Sequence, residues 1–358
     1  MCLFGVFLAG AARADTLLFD SHDVLEISIP LNFRAMCRPR DDPDCDYVPT
    51  TLDYVDEHGK EQSLRIEAII RGGWRSLARN CSAPLLFIRF SDGHTADTPF
   101  EGQGMLPLTT HCGQGMSLQS MEARQHRSIW EQYLFREYLA HRLYNVITDV
   151  SLNARLVKIT YPNPDKPSRS VNNYAFFTEH FDSVADRNGM ENVPRHSFDH
   201  EKLNGRAADK LSLFQFMIGN TDWSIQRERN ITMLQKPDGT QYPLPYDFDM
   251  SGLVDAHYAG PAPSLPVSTV RDRFYLGYCH PETDWDSLFT AFLDMQDDLL
   301  SMVGETPGLD RKSTRSVNRF LDKFFRVLET PEDRDAEIVN RCQTWPPDPD
   351  DHMRPFDK

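Results

Sequence analysis

Short segments in the first third of the chain alternate between apolar and polar positions, which is the pattern of half-buried β-strands. Three such segments are "VLEISIPLNF", "SLRIEAIIRGGW" and "PLLFIRF", and turn-forming residues separate them. They predict an antiparallel sheet. Two more strands are predicted on either side of the proline-rich loop "PNPDKPSR", in "ARLVKITY" and "NYAFFTEHF".

Helical periodicity begins at Ser128, after which apolar side chains recur every three or four residues up to Ile147. This spacing predicts an amphipathic helix. Beyond Leu203 helical patterns dominate, in "AADKLSLFQFMIG", "WDSLFTAFLDMQDDLLSMVG" and "SVNRFLDKFFRVLE". A β-rich part followed by a helical part favours an α+β fold with a cleft between the two, and such clefts often hold active sites.

The first residues, "MCLFGVFLAGAARAD", join an apolar run to an Ala-Arg-Ala triplet, as a signal peptide joins its cleavage site. An ordinary N-terminal strand is the alternative interpretation. No other stretch is long and apolar enough to span a bilayer, so we expect no integral membrane segment after signal removal. The predicted parts are a signal peptide at 1–14, a β-rich small lobe with one long helix at 15–180, a helical large lobe at 181–342 and a disordered tail at 343–358.

The charge of the chain indicates which partners are excluded, and its cysteine content indicates the cellular compartment. The chain has 53 acidic and 38 basic residues, a formal net charge of −15, and an acidic surface repels nucleic acid. Six cysteines remain after signal removal, and an even number in an exported chain predicts disulfides without fixing their pairing. These cysteines are Cys37, Cys45, Cys81, Cys112, Cys279 and Cys342. We therefore expect a periplasmic or extracellular protein.

Polar side chains gather around one predicted hairpin in the second half of the chain. Gly219 is expected to end an apolar helix, which places Asp222 on the loop that follows. Asn230 begins the strand "NITML", and the Asp-Gly pair of "KPDGTQ" predicts a type I′ turn. The returning strand "YPLPYDF" then brings Asp247 beside Asn230, with Asp249 on the same face because side chains two apart align.

Carboxylate and carboxamide oxygens in such a group suit Mg²⁺, which needs few protein ligands and completes its shell with water and phosphate. Asp222 is the candidate catalytic residue, because a carboxylate there could orient an attacking hydroxyl and accept its proton. The candidate metal ligands are Asn230 and Asp247, with Asp249 as a further one. This is the division of labour in phosphoryl transfer. The structural alternative is that each residue only bonds the local backbone of a turn.

The residues Gly219-Asn220-Thr221-Asp222, Asn230 and Tyr246-Asp247-Phe248-Asp249 resemble the catalytic segment of atypical kinases of the spore-coat CotH and HipA type. The resemblance implies an atypical protein-kinase-like two-lobed fold, with a β-rich N-terminal lobe and a mainly helical C-terminal lobe. It also implies ATP and Mg²⁺ as cofactors and a protein as phosphate acceptor. Asp222 matches the catalytic aspartate, while Ser224 replaces the histidine that the family usually has two residues later.

Weaker similarities lie upstream in the chain. The stretch "YAFFTEHFDSVADRNG" is similar to the hinge strand of these kinases, which implies that Phe177, Thr178 and Glu179 lie beside the adenine. The stretch "IIRGGWRS" resembles a strand of the CotH group, which implies that Arg71 and Arg75 face phosphates.

The predicted helix from Ser128 resembles the regulatory helix of the small lobe, with Glu131 or Glu137 as its acidic member. The strand before it, "GQGMLPLTTHC", lacks the lysine that kinases use to hold the α- and β-phosphates.

Three interpretations of the missing lysine stay open. Another cation could substitute for it, namely Arg71, Arg75 or Lys158. The protein could instead be an inactive pseudokinase that serves as a secreted binding or scaffold protein. A changed cation pattern could also reorient the nucleotide, so that AMP is transferred in place of phosphate.

Overall fold

The computed structural model describes residues 17–38, 44–91, 94–113, 126–162 and 170–347. The predicted signal peptide at 1–14 lies outside these ranges, as do residues 348–358 of the predicted tail.

Seven strands form a closed β-barrel. They are β1 (Leu25–Ser28), β2 (Val48–Val55), β3 (Glu61–Ile70), β4 (Leu86–Phe90), β5 (Met105–Thr110), β6 (Ala154–Tyr161) and β7 (Val171–Thr178). Their order around the barrel is β1-β2-β3-β4-β5-β7-β6. Neighbouring strands are antiparallel, apart from the parallel pair of β1 and β6, in which Leu25 lies opposite Val157. This parallel pair closes the barrel.

The barrel shows that the predicted kinase-like two-lobed fold is wrong. That fold has an N-terminal lobe built on a sheet, whereas β1 pairs with both β2 and β6 and leaves the seven-strand sheet closed on itself. The rest of the described chain, residues 126–147 and 179–347, forms a mainly helical part. The sequence pattern gave no sign of closure because β1 has four residues and its partner strand is distant, with Lys158 separated from Glu26 by 132 positions.

Alternate side chains of each strand fill the barrel, as the period of two requires. In β3 the side chains of Leu64, Ile66, Ala68 and Ile70 are buried, while residues between them are more exposed. Phe100 and Phe177 are fully buried in the same core, with their ring centroids 6.0 Å apart. The interior is therefore packed mainly with apolar side chains, with Asn173 of β7 among them.

Seven α-helices and a small sheet are the main elements of the rest of the described structure. The helices are α1 (His126–Ile147), α2 (Phe181–Arg187), α3 (Gly205–Ile218), α4 (Trp285–Asp294), α5 (Gln296–Glu305), α6 (Arg311–Glu329) and α7 (Pro331–Glu337). The sheet contains β8 (Glu191–Asn192), β9 (Ile231–Gln235) and β10 (Gln241–Pro245), in the order β10-β9-β8.

Helix α1, which the sequence predicts, joins the barrel to the helices. Phe135 packs edge-on against Tyr174 of β7 at 4.9 Å, and Tyr144 packs against Phe214 of α3 at 4.6 Å. One long helix thus contacts both parts of the molecule, and it carries Glu137 between them.

Gly219 ends α3, as predicted. Its φ of 64° is left-handed, and a Cβ at this position would lie 2.9 Å from the ring of Phe320 and 3.2 Å from the carbonyl oxygen of Val270. Glycine is favoured here for both reasons. The chain therefore leaves the helix at a fixed angle, and Asp222 follows on the loop.

The predicted hairpin of β9 and β10 is present, with Ile231 opposite Pro245. Its turn is not type I′, because within the described turn Gly239 alone has a positive φ, of 89°. The amide of Gly239 donates to the carbonyl of Lys236 at 2.9 Å, which makes a type I turn followed by a left-handed glycine. Pro237 explains the difference, because it has no N–H to donate as the first residue of an Asp-Gly turn, whereas its fixed φ suits the second position of a type I turn.

Three disulfides confirm the prediction from the cysteine count: Cys37–Cys45, Cys81–Cys112 and Cys279–Cys342. Among the described helices, none combines the length and the apolar character that a bilayer crossing needs. The start of the predicted tail packs onto the molecule, because Gln343 pairs with Tyr278 and the ring of Trp345 lies 3.7 Å from that of His280.

We predict that the 31-residue separation of Cys81–Cys112 makes its loss more destabilising than that of Cys37–Cys45, which spans 8 residues. Chain entropy gives about 3.7 kcal/mol for the longer loop and about 2.5 kcal/mol for the shorter one. Urea unfolding of the two double cysteine-to-serine variants measures both values. The reverse order would contradict the prediction.

Candidate active site

The loop after α3 holds Asp222 by hydrogen bonds to its own segment. The Oδ1 of Asn220 accepts from the amide of Asp222 at 2.9 Å, and Nδ2 of Asn220 donates to Oε1 of Gln215 at 3.0 Å. The indole of Trp223 donates to the carbonyl of Asn220 at 3.1 Å. Asn220 is buried, so its role is to fix the loop, and Asp222 is the member of the Asn-Thr-Asp triplet that reaches the site.

Asn230 lies beside Asp222, as the sequence predicts. Its Nδ2 donates to the carbonyl oxygen of Asp222 at 2.7 Å and to Oδ2 of the same residue at 3.0 Å. The φ of Asn230 is 53°, a left-handed conformation that asparagine adopts more readily than most residues. Since both bonds use the nitrogen, Oδ1 keeps its capacity as a metal ligand.

Arg75 connects the barrel to the residues after the hairpin. It lies in a 3₁₀ turn, Trp74–Ser76, that follows β3. Its Nη2 donates to Oδ1 of Asp247 at 2.9 Å, and its Nε lies 3.4 Å from Oδ2 of Asp249. Glu137 of α1 receives both terminal nitrogens, at 3.1 and 3.3 Å. The guanidinium is therefore surrounded by three carboxyl groups.

Burial makes this cluster electrostatically strong. Burial raises the pKa of Asp249 well above its usual range and also raises the pKa of Glu137, although the charge of Arg75 opposes both shifts. For Arg75, burial favours the neutral form, but the charges of Asp249, Glu137 and Asp247 outweigh it and raise its pKa. Arg75 thus stays cationic, and a single guanidinium faces three acids. Asp249 and Glu137 therefore hold their protons more tightly than exposed carboxyl groups do.

Asp222 belongs to the same electrostatic neighbourhood. Burial raises its pKa, the negative charge of Asp247 raises it further, and Arg229 lowers it through an ion pair with Oδ1. The side chain is still 22% exposed. A partly buried carboxyl group that retains access to solvent is suited to accept a proton.

The two candidate aspartates after the hairpin differ in access. Asp249 is 7% exposed and lies between Arg75 and the hydroxyl of Tyr258, which donates to its Oδ2 at 3.2 Å. The side chain of Asp247 is 30% exposed. The geometry therefore favours Asp247 over Asp249 as a metal ligand.

The donor set fits a magnesium ion that is shared with a phosphate, and it does not fit a metal held by protein alone. The described residues contain no group of three or more His, Cys, Asp or Glu side chains placed to hold a metal. Magnesium in phosphoryl-transfer sites is held by one or two carboxylates and by substrate oxygens. Asp247 and Oδ1 of Asn230 would supply the protein part.

Arg71 lies next to Arg75, at the end of β3. Its Nε donates to the carbonyl of Leu86 and its Nη2 to the hydroxyl of Thr109, both at 3.2 Å. Burial, followed by the charge of Arg75, lowers its pKa to about 10. It remains cationic at neutral pH and half-buried, so both arginines of "RGGWR" lie at the site.

The three residues predicted beside an adenine do not join this group. The ring of Phe177 is sealed in the barrel core, and Thr178 is buried. Both oxygens of Glu179 accept from Arg187 at 3.0 Å, and one also accepts from the amide of Asn153 at 2.7 Å. Adenine contact by these residues stays a prediction, and their buried side chains do not favour it.

Lys158, the third candidate to replace the missing lysine, does not lie at the site. It projects from the outside of the barrel and donates to Glu26 at 2.9 Å. Of the two glutamates considered on α1, Glu137 is the one that meets Arg75. Helix α1 therefore supplies an acidic partner for Arg75. Arg75 follows β3, whereas the resemblance implies a lysine on the strand just before the helix.

Two further residues beside the candidate site, His141 and Tyr258, are not predicted from the sequence. His141 is buried between the rings of Phe248, at 4.8 Å, and Phe176, at 5.6 Å, and burial lowers its pKa to about 3. Its position four residues after Glu137, on the same face of α1, was a usable signal. Tyr258 had no such signal, because it lies in an irregular segment.

No protein-family model matches this chain, and no curated protein matches its sequence.

We predict that Arg75→Ala lowers the free energy of unfolding by about 3–5 kcal/mol, because it leaves buried carboxyl groups without their cation. Glu137→Gln removes one carboxylate while keeping the shape, and we expect a smaller loss. Urea unfolding measures both.

The matched control is Arg89→Ala, which breaks the exposed ion pair of Arg89 with Glu67 and should change stability little. An Arg75→Ala protein as stable as the Arg89→Ala protein would contradict the assignment of Arg75 as the centre of the cluster.

Proposed function

We propose that the protein is a magnesium-dependent phosphotransferase that moves the γ-phosphoryl group of ATP to a hydroxyl of a protein. One observation carries this proposal. Asn230 donates to Asp222, Arg75 donates to Asp247, and the two pairs are close enough for the charge of Asp247 to raise the pKa of Asp222, although Arg75 and Asp247 are 172 positions apart in the chain. An acceptor of protons, two oxygen ligands and a fixed cation are the groups that phosphoryl transfer needs.

Asp222 accepts the proton of the attacking hydroxyl in this proposal. Its carboxylate is oriented by Asn230 on one oxygen and by Arg229 on the other. Burial and the charge of Asp247 raise its pKa, which increases its affinity for the proton. The partial exposure of its side chain leaves room for an acceptor to approach.

Asn230 and Asp247 would hold magnesium, which when bound neutralises negative charge on the transferred phosphoryl group. Arg75 takes the place of the absent lysine, and its paired contact with Glu137 fixes its orientation between the barrel and Asp247. A planar guanidinium can serve Glu137 and Asp247 at the same time, because its donors form a rigid fork. Arg71 supplies the second positive charge for phosphate oxygens.

We also propose that the protein is exported to the periplasm or the extracellular space. Its three disulfides support this location, since such bonds persist in oxidising compartments.

We predict that Asp222→Asn lowers the rate of phosphate transfer by about 10²- to 10⁴-fold, as expected for loss of a general base. Asp247→Asn should raise the magnesium concentration needed for half-maximal rate. Transfer of label from γ-labelled ATP to protein measures both effects. Asp238→Asn, on the exposed turn of the same hairpin, is the control and should keep the wild-type rate.

Intact mass after incubation with ATP and magnesium separates the competing functions. Addition of one phosphate supports the proposal, and addition of one AMP would replace it by nucleotide transfer. If ATP with magnesium neither raises the melting temperature nor modifies any protein, the proposal is wrong and the chain is a binding or scaffold protein.

A further inference from the structure

Three aromatic rings form a row beside the candidate site. Trp130 of α1 lies against Tyr258, with ring centroids 5.8 Å apart and an angle of 21° between the planes. Tyr258 in turn lies against Trp74, at 5.0 Å and 31°. Among the described residues Trp74 is the last ring of this row, and it is 41% exposed. A large indole that is stacked on one neighbour and open to solvent can accept another ring.

The row is attached directly to the charged cluster. The hydroxyl of Tyr258 donates to Asp249, and Trp74 is the residue before Arg75, whose guanidinium reaches Asp247. The turn that carries Trp74 is fixed, because its carbonyl accepts from Nδ2 of Asn80 at 2.9 Å. The Cys81–Cys112 disulfide, which packs against Trp130, closes the same segment. Trp74 is therefore a positioned platform.

The segment Arg71-Gly72-Gly73-Trp74-Arg75 places two cations, two glycines and the exposed ring within five residues. Both glycines are exposed, and a Cβ added at Gly73 would meet no atom within 4 Å. Gly72 has a φ of 93°, a conformation that favours glycine. A chain of phosphates could approach the backbone here, between the arginines and the indole.

A second observation supports the placement of a nucleotide base against Trp74. The side chains first considered for an adenine, those of Phe177, Thr178 and Glu179, are buried or already paired. A nucleotide whose phosphates lie at Arg71 and Arg75 therefore has an open stacking surface on Trp74.

We propose that the base of the nucleotide donor stacks on Trp74, and that the protein therefore accepts nucleoside triphosphates with little discrimination between bases. This inference rests on the proposed function, because it places the phosphates at Arg71, Arg75 and Asp247. Stacking on an indole tolerates any base, since every base presents a π-face.

The test compares the binding of three probes in the presence of magnesium: ATP, GTP and inorganic tripolyphosphate, which has no base. Trp74→Ala should weaken ATP and GTP by about 5- to 150-fold, the usual contribution of one stacked base, and leave tripolyphosphate unchanged. Trp74→Phe should keep most of the affinity for both nucleotides. The wild-type protein should bind ATP and GTP within about tenfold of each other.

Val55→Ala is the control, since Val55 is also exposed but lies opposite Glu61, at the other end of β3 from Trp74. If ATP binds and Trp74→Ala leaves its affinity unchanged, this inference is wrong while the proposed function stands. The same conclusion follows if Trp74→Ala raises only the KM of the acceptor, or weakens tripolyphosphate as much as ATP. If neither ATP nor tripolyphosphate binds the wild-type protein, the proposed function fails and this inference fails with it.

Discussion

The guanidinium of Arg75 lies among the carboxyl groups of Glu137, Asp247 and Asp249, and the barrel, helix α1 and the end of the hairpin all meet at it. The cluster is largely shielded from water, so its charges attract one another more strongly than they would at the surface. The position of Asp247 relative to Asp222 therefore depends on a residue from another part of the chain. A site made from local loops alone would not need such a link.

Two kinds of contact surround this cluster. On one side Asn220 and Asn230 hold Asp222 through hydrogen bonds, and Gly219 sets where their loop begins. On the other side Phe248, the residue between the two aspartates, packs against His141. Phe248 lies in the apolar core, so its burial keeps the neighbouring Asp247 and Asp249 in place.

Local features of the molecule could be predicted from the sequence. Helix α1, the end of α3 at Gly219 and the pairing that brings Asn230 near Asp247 depend on neighbouring residues, and all are present. Features that depend on distant partners were missed or left open. The sequence could not show that β1 pairs with β6, and it could not choose Arg75 among the available cations. The predicted turn type was also wrong, because the fixed φ and missing N–H of Pro237 outweighed the preference of Asp-Gly for type I′.

The parallel pairing of β1 and β6 has a consequence for the order of assembly. During synthesis β1 meets β2 early, but its second partner emerges only after more than one hundred further residues, since Lys158 lies 132 positions after Glu26. Such high contact order slows folding and prolongs the exposure of unpaired strand edges. The nascent barrel therefore stays an open sheet with unpaired edges until α1, β6 and β7 have been synthesised, because β7 joins β6 to β5. A chain truncated before residue 154 should need a chaperone to remain in solution.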